Sequence, residues 1–417
     1  MRIAIVGAGI SGMTAAYYLS RSHDVSVFEA NDYIGGHANT ATVKEKNRSI
    51  PVDTGFIVFN QQNYPNLCRL FDELNVASIN TDISFSVHCE QTGLEDNGTS
   101  FNKLFSQRRN IINIQFWKML KDINRFHKEA VELLNAGMDD RITVEEFSKQ
   151  KGYGDAFLTQ YLIPLGASLW SSPADRFRQF PMLFVIEFLN NHCMLQLNGR
   201  PQWKTVKGGS KEYVSKLINS LKEKIQINNS VSRVIRHKSH VEIVSKHNNS
   251  LTFDEVIICC HSDQAIHLMQ SPDEYELELL QQFQYQQNEA VLHTDISVLP
   301  KNKKAWASWN YRIPKENKDH VSVTYNMNCL QSLAAEETYC VSLNQTRHIN
   351  KDKILKRIIY HHPQFSPGRS EAQSNHTKLI RRDRVSYCGA YWGYGFHEDG
   401  VSSALRVCDA FDIEVAK

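Results

Sequence analysis

Three glycines, Gly7, Gly9 and Gly12, stand at GxGxxG spacing directly behind the apolar run Ile3 to Val6, and Glu29 follows Gly7 by 22 positions. These residue types at this spacing suit a dinucleotide. Gly7 permits a tight turn, Gly9 lets backbone approach a diphosphate, and Gly12 lets helix and strand pack closely. A helix starting at Ile10 and Ser11 would aim free N–H groups and a partial positive charge at phosphate oxygens. Glu29, with Ala30 behind it, can accept hydrogen bonds from a ribose diol. At the other end of the chain, Trp392, Tyr394 and His397 follow Gly389 in an aromatic turn, and His397 is the candidate for moving a proton.

The elements that would hold these groups are legible. Ile3 to Val6 reads as a buried parallel strand, Met13, Ala16 and Leu19 as the apolar face of a helix, and Val25 to Phe28 as a second strand ending on Glu29. Strand, turn, helix, strand and acid in this order separate the motif from a chance glycine-rich turn. A second glycine pair, Gly35-Gly36, lies in EANDYIGGHANT and would let the chain run close along an extended cofactor.

This combination resembles the FAD-binding pattern of the flavin amine oxidase and phytoene desaturase superfamily, with His37 where the superfamily carries arginine. The resemblance implies further contacts: Gly55 and Phe56 beside the flavin ring, the backbone of Val231 at the adenine, and a second motif at Gly389, Glu398 and Val401. A helix N-terminus aimed at the flavin pyrimidine would stabilise reduced flavin. FAD would be bound non-covalently, because Cys388 lies inside the strand before Gly389, whereas relatives with a thioether carry that cysteine well upstream. The resemblance is nearest to bacterial NAD/FAD-binding amine oxidoreductase-like proteins related to the N-terminal part of plant cyclopropane fatty-acid synthases.

A chain of 417 residues exceeds one ordinary core, and a formal net charge of +2 does not call for nucleic acid. Nine cysteines without a CxxC fit free thiols in a reducing cytoplasm, and no apolar run reaches the length of a membrane span. With a strand starting at residue 3, a signal peptide is not expected. The expected fold is α/β: a Rossmann-type FAD-binding domain of three segments (1–60, 200–265 and 380–417) interleaved with an α+β substrate domain (61–199 and 266–379).

Within the substrate segments, QQNYPNLCRLFDELNV (61–76) reads as a helix. Residues 81–101 read as strand-like with a turn at Glu95-Asn97-Gly98. In 101–135, Ile111, Ile114, Trp117, Leu120, Ile123 and Phe126 recur at spacing three among basic residues. That stripe is expected to face the core, the alternative being a helix lying on a membrane surface. Thr143 with Glu146 spells a capping box. Trp306, Trp309 and Tyr311 read as an aromatic loop. His261 lacks partners at ligand spacing, and the adjacent His361 and His362 should point opposite ways on an extended chain, so no metal site is expected.

The expected chemistry is hydride transfer from a substrate carbon to flavin N5, on a lipid acyl chain by analogy with the relatives. An amine oxidase would carry two facing aromatic rings and an assisting lysine, and Phe396 at a cage position argues against it. A non-catalytic flavin protein would have a sealed site.

Overall fold

The computed structural model describes residues 1–98, 100–196, 199–246, 249–315 and 322–413. Its organising element is a five-stranded parallel sheet assembled from distant segments, in the order Ile225–Gln226, Asp24–Phe28, Arg2–Val6, Glu255–Ile258, Val385–Tyr387. The central strand is buried along Ile3 to Val6, as a parallel strand covered on both faces must be. Helix Ile10–Leu19 follows it, and Gly12 sits so near the turn that a Cβ there would lie 1.9 Å from the Gly7 carbonyl oxygen. Only a residue without a side chain permits that packing. The C-terminal helix His397–Asp409 packs beside it; a Cβ on Gly400 would meet Ile10 at 2.8 Å and Ser11 at 2.9 Å.

A seven-stranded mixed sheet forms the second layer, in the order Ile354–Gln364, Gln284–His293, Cys340–Leu343, Val323–Asn326, Trp309–Ile313, Phe85–Cys89, Leu94–Asn97. Helices Ile114–Ala136, Val144–Gln150, Ile163–Trp170 and Met182–Asn191 contribute to the aromatic-rich core beside it, which includes Phe126, Phe147, Trp170, Phe184 and Phe188. Smaller sheets link the layers. One is the hairpin Thr40–Glu45 with Arg48–Asp53, and another joins Trp203–Val206 to Val58–Phe59 and Ser78–Thr81.

Several local expectations hold. The helix expected over 61–76 forms over Pro65–Glu73, and the capping box is complete, with Glu146 N donating to Thr143 Oγ1 at 3.2 Å and Thr143 N to Glu146 Oε2 at 2.9 Å. Three readings need correction. Glu95 and Asn97 are buried strand residues, and the turn lies before them, closed by Gly93 N on Cys89 O. Trp309 and Tyr311 belong to a strand. In 101–135 the long helix starts only at Ile114, capped by Asn113, and buries Phe116, Met119, Phe126 and Ala130. A strict spacing of three precesses about 60° per step around a helix of 3.6 residues per turn, so such a stripe cannot stay on one face. Its first members end outside: Ile111, Ile114 and Trp117 are 44%, 71% and 47% exposed.

Candidate active site

A cavity of about 1230 Å³ runs from the first glycine loop to the seven-stranded sheet. It is larger than the roughly 300–1,000 Å³ of a site for one small ligand. It is bordered by Gly7, Gly9, Ile10, Ser11, Glu29, Ala30, Gly35, Gly36 and His37, with Ser230 and Val231 following Asn229, whose N–H donates to Glu29 O at 2.9 Å; Gly55, Phe56, Gly389, Phe396 and His397 border it as well.

The local geometry fits a dinucleotide. Helix Ile10–Leu19 has no side-chain cap, so its first N–H groups are open to an anion. A Cβ on Gly9 would meet nothing within 4 Å, and one on Gly36, held at φ +59°, would lie 3.2 Å from Gly9 Cα. Two glycines therefore face a groove in which a diphosphate can touch backbone. Glu29 is fixed by Ala8 N at 2.8 Å, Asn31 N at 2.9 Å and Asn31 Nδ2 at 2.8 Å.

Behind the groove, Asp53 ties three segments together. It accepts from Ser210 N at 2.9 Å, Ser210 Oγ at 2.8 Å, Thr40 Oγ1 at 2.5 Å and Gln331 Nε2 at 2.8 Å. Burial nonetheless pushes its carboxyl up to about 6, because these bonds offset only part of the desolvation.

Not every expected site residue reaches the cavity. Gly12 and Val401 are packing residues under the loop. Glu398 turns away and caps another helix, accepting from Leu67 N at 2.9 Å and Asn66 Nδ2 at 2.8 Å. Trp392 is buried against His376 at 4.4 Å, and Tyr394 stacks on Phe184 at 5.3 Å with its hydroxyl near Asn191. Neither borders the cavity. The turn Ala390–Trp392 carries these rings past the opening, leaving Tyr391, Phe396 and His397 on it. His397 stacks on Phe56 at 3.7 Å and bonds Tyr213 Oη through Nε2 at 3.1 Å, and burial holds its imidazole down to about 3.

A group of histidines went unrecognised in the sequence. His37, His261, His361 and His362 all border the cavity, with ring centroids 5.4 Å apart for His37 and His362 and 6.0 Å for His261 and His361. Strand alternation does send the adjacent pair to different neighbours, His361 toward His261 and His362 toward His37, yet both border the cavity. Among the described residues no three His, Cys, Asp or Glu side chains are arranged to hold a metal ion.

The rest of the wall comes from the second layer. It includes Ile83, Phe85, Leu165, Leu169, Trp170, Phe188, Met194, Trp309 and Leu343. Phe188 lies nearly parallel to Phe396 at 5.0 Å, a closed stack and not a gap for a substrate. Among the described residues no lysine borders the cavity; Arg200 and Asp82 stand exposed on it.

Comparison with known proteins agrees with this geometry. A segment of 77 residues, 18% of this chain, is 39% identical to 15-cis-phytoene desaturase of Synechococcus elongatus, and that match spans only 15% of the desaturase. Putrescine oxidase bound to putrescine shares the fold with a TM-score of 0.71 at 13% identity, covering 99% of both chains. The fatty acid isomerase of P. acnes that produces CLA does so with a TM-score of 0.71 at 14% identity, covering 98% of both. Residues 10–303 match the sequence model of flavin containing amine oxidoreductases. That match covers well over half of the chain and takes in the helix behind the glycine loop, Glu29 and three of the seven strands of the second layer, so the chain belongs to the flavin containing amine oxidoreductase family and is an FAD-dependent oxidoreductase.

Proposed function

We propose that this flavoprotein oxidises a lipid acyl chain, in a desaturase- or oxidase-like reaction that removes hydride from a substrate carbon. The observation that carries the reading is the substrate end of the cavity: aliphatic and aromatic side chains predominate over a few polar ones such as Asp82 and Arg200, no lysine lines it among the described residues, and Phe188 stacks on Phe396 where an amine cage would need a gap. Bound FAD supplies the two-electron acceptor. The chain's residues bind and orient: Leu165, Leu169 and Met194 bury methylenes, Trp170 and Trp309 exclude water, and Arg200 offers a cation to a carboxylate head group at the opening. In this reading residues 1–60, 200–265 and 380–417 hold the cofactor, and 61–199 and 266–379 the substrate. A kinship to plant cyclopropane fatty-acid synthases, suggested by the sequence motifs, is part of the same proposal.

A peripheral membrane contact belongs to the same reading. No helix among the described residues is long and apolar enough to cross a membrane. Ile112, 86% exposed, joins Ile111, Ile114 and Trp117 in an apolar patch, with Trp117 Nε1 fixed on Ile111 O at 2.8 Å. Arg108, Arg109, Lys118 and Lys121 neighbour it in sequence, and none pairs with a carboxylate among the described residues. Such a surface suits anionic lipid, at about 1 kcal/mol per basic residue. Ile112→Glu should abolish co-sedimentation with phosphatidylglycerol vesicles in low salt; wild-type protein that stays in the supernatant refutes the contact.

The reaction itself is tested by mixing oxidised holoprotein anaerobically with palmitoyl and oleoyl compounds and, separately, with putrescine and tryptophan. Bleaching of the flavin by an acyl compound is expected. Bleaching by an amine alone would replace this reading with an amine oxidase.

A further inference from the structure

We propose that His362 is a positioning residue that holds an N–H donor, at Nε2, toward an acceptor atom of the ligands in the cavity. The flavin reading of the cavity is its basis.

The direction of the proton follows from a hydrogen-bond chain whose two ends leave no choice. At one end the Glu289 backbone N–H, which can only donate, bonds Asn344 Oδ1 at 2.9 Å. Asn344 must therefore present its Nδ2 to Asn288, and it does, donating to Asn288 Oδ1 at 2.7 Å. Asn288 is left with Nδ2 on its other side. One hydrogen of that group goes to the Ser171 carbonyl at 3.0 Å, with the Gln286 carbonyl more distant at 3.4 Å, and the other to His362 Nδ1 at 2.9 Å, to which an amide nitrogen can only donate. His362 Nδ1 is thus an acceptor. A neutral imidazole whose Nδ1 accepts carries its proton on Nε2. Desolvation keeps the ring neutral, holding its pKa down to about 3.

No protein acceptor meets Nε2 among the described residues. His362 is half-buried and borders the cavity, so its free N–H is open to whatever fills that space, and the surroundings name its partner. His362 lies on strand Ile354–Gln364, which roofs the cofactor end of the cavity. The preceding Tyr360 stacks on His37 at 4.8 Å and meets Thr54 Oγ1 at 2.9 Å, both beside the glycine pair and Gly55. The following Pro363 would touch a Cβ on Gly395 at 3.1 Å, beside Phe396. The donor therefore stands between the two cofactor motifs. Its partner is an electron-rich oxygen or nitrogen, belonging either to the flavin or to the carbonyl group of a substrate beside it.

The test uses FAD-loaded protein labelled with ¹⁵N-histidine. The expected NMR pattern for His362 is a protonated Nε2 and a bare Nδ1 throughout pH 6–8. Asn288→Asp, which puts an acceptor opposite Nδ1, should move the proton there; an unchanged pattern in that variant, or Nδ1–H in the wild type, overturns the proposal. His362→Asn keeps a polar group at the Nδ1 position only, whereas His362→Gln keeps a donor near Nε2. If the partner is on the flavin, His362→Asn shifts the visible flavin spectrum and weakens FAD binding about tenfold. If it is on the substrate, FAD binding is unchanged and binding of a mid-chain oxo fatty acid, whose carboxylate stays with Arg200, weakens about tenfold. Either loss should be recovered by His362→Gln. A folded His362→Asn protein that binds FAD and the oxo fatty acid as the wild type does refutes the role, and loss of FAD from every variant and the wild type alike would instead indict the flavin reading.

Discussion

The rings of His397 and Phe56 lie 3.7 Å apart at 12°, and this stack, closed by Tyr213 Oη on His397 Nε2, makes the histidine a rigid wall of the cavity. A side chain pinned on its face and at its edge, and kept neutral by burial, is poorly placed to swing between proton donor and acceptor. Tyr213→Phe removes the edge contact and leaves a buried nitrogen unpaired. The expected cost is about 1–3 kcal/mol, read as a lower urea midpoint with an unchanged unfolding slope.

The glycine groove yields a sharper test. Glu29→Ala should weaken FAD binding by about 1.5–3 kcal/mol through loss of charge-assisted hydrogen bonds. Gly9→Val should be worse, because its side chain would fill the open space opposite Gly36. Titrating apoprotein with FAD under flavin fluorescence reads both. A valine variant with full FAD occupancy would show that the phosphate path lies elsewhere.

Glu398 reaches across to helix Pro65–Glu73, whose own N-cap, Tyr64, provides no side-chain bond. Glu398→Ala should therefore lower stability by about 1–3 kcal/mol while leaving the visible flavin spectrum unaltered. A changed spectrum at unchanged stability would return Glu398 to the cofactor.

Neutral histidines desolvated around the cavity set the acid limit of the apoprotein. His37 and His261 are held down to about 4, and His362 and His397 to about 3, chiefly by desolvation. Their folded values lie below the unfolded 6.5, so the unfolded chain takes up protons first and stability is lost as pH falls below 6.5. At pH 5.5 each histidine costs about 1.4 kcal/mol relative to pH 7.5. Asp53 and Asp399, pushed up to about 6, act in the opposite sense and recover about 0.8 kcal/mol each, and Asp96, pushed up to about 7, recovers about 2 kcal/mol; His127, His192 and His293, held down to about 4, and His376, to about 3, outweigh them. The midpoint of thermal unfolding should therefore drop by several degrees between pH 7.5 and 5.5; a flat profile would mean that these rings are hydrated.

What could be read from the sequence divides along physical lines. The first motif was legible because one strand, one turn and one helix carry it within 30 residues, and local spacing encodes all of it. The histidine group was not, because His37, His261 and His361–His362 meet only after parallel pairing sets Arg2–Val6 beside Glu255–Ile258 and the long strand Ile354–Gln364 crosses above. Trp392 and Tyr394 follow Gly389 closely, yet a single 3₁₀ turn directs Trp392 onto His376. Sequence proximity to a motif does not determine which side of a turn a ring takes.

Chain length is the decisive variable for the substrate. If Leu165, Leu169, Met194 and Leu343 line an acyl site, each added methylene buried there contributes about 0.8 kcal/mol, or roughly fourfold in affinity. Saturated fatty acids of increasing length, titrated against the fluorescence of Trp170 and Trp309, should tighten by that factor per carbon and then level off where the cavity ends. Leu169→Glu places an unpaired carboxylate among the methylenes and should abolish the trend without releasing FAD. Arg200→Ala should weaken every length by one constant factor, because the head-group cation at the opening does not sense the tail. A series that is flat in chain length, or steeper for diamines than for acids, would show that the apolar wall serves packing and that the substrate is polar.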